Sequence, residues 1–108
     1  MPDATDSDLD ATFRPLGAST VAYGHIHRSF TRAVGDLVVA NAGSAGMPWD
    51  GDARASYLLV EDDRVEPIRV DYDIDAEARE FQGRAHPDSE RLVEMRRVGR
   101  FIAPNPWP

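Results

Sequence analysis

"VAYGHIHRSF", residues 21–30, decides how this chain is read. Val21-Ala22-Tyr23 has the composition of a strand, and Gly24 ends it. His25 and His27 follow, two of the chain's 3 histidines, with only Ile26 between them. On an extended backbone, side chains at i and i+2 point the same way. Neutral imidazole is the commonest protein ligand for a metal ion. Gly24 allows the backbone to leave the strand at an angle most residues avoid. Ligands of open α/β sheets lie outside the carboxyl ends of strands, where this turn would be. The stretch therefore predicts two nitrogen donors converging on one small volume. Two donors do not complete a site: zinc takes four ligands, or three and a water, and magnesium-like ions take about six. Asp36, Asp50, Asp52 and Asn41 are available from nearby loops, but no spacing marks any of them as a ligand.

The neighbouring sequence supplies the frame. Thr5-x-x-Asp8 resembles a capping box. Leu9, Phe13 and Leu16 then share one face of a short helix that loosens at Pro15 and ends at Gly17. A strand over about 20–23 leads into the histidine turn. Residues 30–34 and 37–41 are β-prone and flank Gly35-Asp36, a two-residue hairpin turn. "NAGSAGMPWDGD", residues 41–52, is a glycine-rich loop. Residues 55–61 and 64–71 form a second hairpin turning at Asp62-Asp63. Pro67 cannot donate a ladder hydrogen bond, which predicts an edge strand. Asp73 caps a helix with Ile74, Ala78 and Phe81 on one face, closed by Gly83. Pro87-Asp88 opens a second helix whose acids come early and whose Arg96 and Arg97 come late, matching the helix dipole. The order is a short helix, about five strands in hairpins, and two C-terminal helices: an α+β pattern in one domain. The ends, residues 1–4 and 103–108, are expected to be flexible.

The 108 residues suffice for one small domain. A hydrophobic content of 42% fits a globular chain. A net charge of −7 argues against nucleic acid or an anionic membrane as the main partner. With 0 cysteines, disulfides and thiolate metal sites are excluded. The acidic N-terminus is no signal peptide, and runs such as "LVVA" and "YLLV" are too short to span a bilayer. These features predict a cytoplasmic protein.

"VAYGHIHRSF" resembles the last signature of the calcineurin-like metallophosphoesterases, G-H-[TI]-H on a strand-turn. "NAGSAGMPWDGD" resembles their N-x-G-S-x-G-x-P loop, and "RASYLLVEDDRVEPIRVDYD" resembles the hairpin that follows in small bacterial members. The likeness spans about residues 12–73 and loosens towards the end. It implies a hydrolase, a phosphatase or phosphodiesterase in which two divalent ions (manganese, iron or zinc) activate water and neutralise phosphate oxygens. It implies that His25 ligates one ion and His27 its neighbour. Gly24, Asn41, Gly43 and Ser44 would shape the site wall, and Arg28 would approach the anionic phosphate ester.

The family's other ligand motifs, D-x-H, G-D-x-x-[DH] and G-N-H-[DE], do not occur here. Gly35-Asp36 and Gly51-Asp52 lack the acid or histidine three residues on from the Asp. His86, beside Pro87, is expected to be a surface residue flanking a helix. The chain therefore resembles the C-terminal part of a two-sheet αββα sandwich, contributing roughly one sheet, the closing helices and two metal ligands, and inactive alone. A missing N-terminal half or a partner chain would supply the rest. An uncovered apolar face is expected on "LVVANAG" and "YLLV". The alternative is a non-catalytic remnant or interaction module that binds a partner chain or one metal weakly. A cupin-like barrel also uses H-x-H, but residues 28–36 lack the glutamate it requires.

Overall fold

The computed structural model describes residues 3–62 and 64–105. The outermost residues of the expected flexible ends, 1–2 and 106–108, lie outside this range, as does Asp63 of the second hairpin turn.

Helix α1 (Asp6–Phe13) starts where its cap dictates. The Thr5 hydroxyl accepts from the Asp8 N–H at 3.2 Å, and the Thr5 N–H donates to the Asp8 carboxylate at 2.9 Å. Pro15 lies in a single 3₁₀ turn (Arg14–Leu16), and Gly17 closes it with φ 67°. That turn rotates Leu16 off the apolar face: Leu9 is buried and Phe13 packs on the core, but Leu16 is 66% exposed.

Strands β1 (Thr20–Tyr23), β2 (Ser29–Val34) and β3 (Leu37–Ala42) form one sheet in the order β1-β3-β2. β2 and β3 are a hairpin in which Val34 pairs with Leu37 across Gly35-Asp36. β1 skips its sequence neighbour and runs parallel to β3, with Tyr23 opposite Asn41. Side chains alternate along a strand, so Val21 and Tyr23 share a face with Val39 and Phe30. α1 covers that face. Leu9, Val34, Leu37 and Val39 form the core there. The Tyr23 ring lies 5.3 Å from Phe13 and 6.0 Å from Phe30.

Among the described residues, β4 (Ala55–Glu61) and β5 (Arg64–Val70) pair only with each other, so the strands form two small sheets where roughly one was expected. Hairpin signals in a sequence are local, and sheet membership is not. Pro67 lies in β5, which has a ladder on one side only. The expectation of an uncovered "LVVANAG" fails. β3 is the central strand under α1, and Leu37, Val39, Ala40 and Asn41 are all buried. "YLLV" is different: Tyr57, Leu59 and Val60 are exposed.

Helices α2 (Ile74–Gly83) and α3 (Ser89–Val98) close the fold. Asp73 caps α2 by accepting from the Ala76 N–H at 2.8 Å. The helices are joined by a polar chain: the Tyr72 hydroxyl donates to Glu77 at 3.0 Å, and Arg96 Nε donates to the other Glu77 oxygen at 3.0 Å. Burial and the hydrogen bond to Glu77 push the Tyr72 phenol up to about 12. Among the described residues, no helix is long and apolar enough to cross a membrane.

Candidate metal centre

β1 places the histidine turn at its carboxyl end, and β3 anchors it. Asn41 is fully buried beside Tyr23. Its Nδ2 donates to the Gly24 carbonyl at 3.1 Å, and its Oδ1 accepts from the Gly43 N–H at 2.9 Å. One side chain thus ties the histidine turn to the glycine-rich loop. Gly43 has φ 73°, and a Cβ there would lie 3.0 Å from both Ser29 Cβ and Ser56 Oγ. Ser44 accepts from the Met47 N–H through its hydroxyl at 3.0 Å and from the Ser56 N–H through its carbonyl at 3.0 Å. The start of the loop is therefore pinned to both flanking strands, to β3 through Asn41 and to β4 through Ser56.

The turn itself differs from the expected extended arrangement. His25 has φ 80° and His27 φ 55°, both in the left-handed region. This conformation is strained for a residue with a Cβ, though histidine enters it more readily than most. Strand alternation therefore does not orient these rings. His25 is exposed and His27 half-buried, so solvent reaches the turn and neither ring is sealed in the core.

His27 is held at three points. Its Nδ1 lies 2.8 Å from the Met47 carbonyl. A carbonyl can only accept, so Nδ1 carries the proton, and the neutral ring presents its lone pair at Nε2. The His27 carbonyl accepts from the Trp49 N–H at 2.8 Å. The Trp49 indole stacks on the imidazole with centroids 4.2 Å apart and planes 24° from parallel. An imidazole whose second nitrogen donates to a backbone carbonyl is oriented as metal-ligating histidines are. Sequence reading passed over Met47 and Trp49. The available signal was an indole inside a glycine-rich loop.

The carboxylates of nearby loops are committed elsewhere. Asp36 pairs with Arg14 at 2.9 Å. Asp52 pairs with Arg54 at 2.7 Å, and the hydrogen bonds from Arg54 hold its carboxyl down at about 2. Asp50 accepts from Arg69 and from the Ser29 N–H at 3.1 Å. Burial raises the proton affinity of Asp50, but these bonds and the Arg69 charge outweigh it, and its pKa is lowered. Arg28 is exposed with its guanidinium 4.0 Å from Asp3. His86 is exposed, and its Nδ1 accepts from the Asp88 N–H at 3.1 Å. Among the described residues, no three His, Asp or Glu side chains gather closely enough to hold an ion. The turn offers two imidazoles of the kind that bind metal ions, of which His27 is oriented by its Nδ1 bond, and supplies only part of a coordination shell.

The chain's overall shape is shared with known structures. A metallophosphoesterase from Sphaerobacter thermophilus superimposes with a TM-score of 0.75 at 24% identity, over 84% of this chain and 47% of that one. A hypothetical protein from Pyrococcus horikoshii superimposes with a TM-score of 0.78 at 21% identity, over 95% of this chain and 41% of that one. This chain thus spans less than half the length of either neighbour. Comparison with curated proteins finds no match. Residues 3–64, more than half of the chain and including the histidine turn and its loop, match the calcineurin-like phosphoesterase superfamily domain, and the chain belongs to that superfamily.

Proposed function

We propose that the chain is the C-terminal part of a metal-dependent phosphoesterase, and that it contributes His25 and His27 to neighbouring divalent ions (manganese, iron or zinc). The observation that carries this reading is the His27 Nδ1 bond to the Met47 carbonyl, which leaves Nε2 as a lone-pair donor at the end of a strand. When bound, such ions supply Lewis acidity and an activated water for phosphate-ester hydrolysis. The chain's own residues orient the ligands. Asn41 and Gly43 fix the turn against the loop, and Ser44 shapes the loop towards Met47. Arg28, exposed beside the turn, would offer positive charge to the substrate's phosphate.

Two imidazoles cannot hold two ions, and the remaining ligands must come from polypeptide that continues this fold. Tyr57, Leu59 and Val70, exposed apolar residues on one face of the β4–β5 ladder, favour such a covering partner. The cytoplasmic location rests on composition. The test is hydrolysis of an aryl phosphodiester with Mn²⁺. Residues 1–108 alone should be inactive. A protein that joins them to the rest of the fold should be active and should lose activity in His25→Ala and His27→Ala. Full activity in the double variant would overturn the assignment.

The same apolar surface favours a second reading, a non-catalytic module whose role is to bind another chain. A completed, folded protein that binds its partner but shows no metal-stimulated hydrolysis would select it.

A further inference from the structure

We propose that Trp49, braced by Phe101, is the positioning residue of His27, so that the segment after α3 sets the aim of a metal ligand. This rests on the phosphoesterase reading for its purpose, but its geometry stands independently. The Nδ1 bond to Met47 fixes one axis of the imidazole and leaves the ring free to swing about it. The stacked indole removes that freedom. Bond and stack together fix the direction of Nε2.

The indole's own orientation follows the stack rather than its polar atom. Trp49 Nε1 is buried and has no hydrogen-bond partner among the described residues. An unsatisfied buried donor is costly, so a rotation giving Nε1 a partner would be favoured if nothing opposed it. What opposes it are two ring contacts: the stacked His27 imidazole at 4.2 Å and, at 5.0 Å and 63°, the T-shaped contact with Phe101. Phe101 is 56% exposed, so its burial contributes little beyond this contact.

The end of α3 is built to bring Phe101 there. Gly99 terminates the helix with φ 62°, and a Cβ on it would lie 2.9 Å from the Asp52 carbonyl carbon. Only glycine permits this approach. The Gly99 carbonyl then accepts from the Gly51 N–H at 2.8 Å. The chain of contacts runs from the α3 terminus to Trp49 and on to His27.

The test uses the metal-free chain at a pH where imidazole is neutral, with Phe101→Ala, Trp49→Phe and Trp49→Leu. The readouts are the His27 tautomer by long-range nitrogen–proton correlation and the His27 ring-proton shifts. Wild type should hold the Nδ1–H tautomer with ring protons moved upfield by the indole. Phe101→Ala should lose much of that upfield shift although the indole is intact. Trp49→Leu should mix the tautomers, and Trp49→Phe should restore the single one. His25 and His86 should be unchanged in all three. A purely structural Trp49 would leave the tautomer alone, so unchanged His27 signals in Phe101→Ala and a single tautomer in Trp49→Leu overturn the proposal. A parallel Mn²⁺ titration should need roughly tenfold more ion to broaden His27 in Trp49→Leu. If the protein that joins residues 1–108 to the rest of the fold keeps full Mn²⁺-stimulated hydrolysis in His25→Ala/His27→Ala, the phosphoesterase reading fails, while the tautomer data still decide the positioning role.

Discussion

Asn41 reaches across from β3 and donates to the Gly24 carbonyl at 3.1 Å, the last backbone group before the histidine turn. The same side chain accepts from Gly43 at 2.9 Å, so both halves of one buried amide are used. Asn41→Asp keeps the acceptor but sets a carboxylate oxygen against the Gly24 carbonyl. It should lower stability by about 2–3 kcal/mol, more than a typical surface substitution. Chemical denaturation read by tryptophan fluorescence measures this, and a loss below experimental error would remove Asn41 from its anchoring role.

Gly43 combines φ 73° with no room for a side chain. Gly43→Ala should destabilise by about 2 kcal/mol or more, from the left-handed conformation plus the approach to Ser29 and Ser56. Gly24 has open space around the position of a Cβ and no positive φ. Gly24→Ala should be mild by the same measurement, and equal effects at the two positions would contradict the packing described.

His25 holds φ 80° and is exposed. His25→Gly relieves backbone strain without opening a cavity. It should leave stability unchanged or raise it by up to about 1 kcal/mol, even as it removes a proposed ligand. Thermal melts of the metal-free protein check this. A clear loss of stability would mean that the imidazole has a structural role at this turn.

Acid should loosen the loop below the histidine turn. The pKa of Asp50 is lowered through Arg69 and Ser29 despite its burial, and that of Asp52 stands at about 2 through Arg54. Both folded values lie below the unfolded ones. Their stabilisation is therefore complete above roughly pH 4 and is lost as pH falls through the folded values. Melting temperatures should be flat from neutrality to about pH 5 and then drop towards about pH 2. Arg69→Met leaves Asp50 half-buried without its partner and should cost about 2–4 kcal/mol at neutral pH. A wild-type melt that is unchanged on acidification would contradict this assignment.

Much of the fold was legible because its determinants are local. Thr5 and Asp8 announce a helix start, Gly35-Asp36 a tight hairpin, and Asp73 a cap, each within a few residues. The parallel pairing of β1 with β3 and the division into two sheets depend on which hydrophobic faces meet across the chain, and no short window encodes that. The same holds at the site. His25 and His27 stand out as residue types, but their left-handed backbone overturns the alternation rule, and Trp49 reaches His27 from 22 positions away. Leu16 failed for a simpler reason: the 3₁₀ turn at Pro15 breaks the helical period.

The three histidines offer an internal control for the metal site. Titrating Mn²⁺ into the chain and following imidazole proton linewidths reads each ring separately. His25 and His27 should broaden together and at lower Mn²⁺ than His86, which is engaged with the Asp88 N–H. Equal broadening of all three, or of His86 before the pair, would show that this turn holds no ion and would remove the basis for a phosphoesterase centre here.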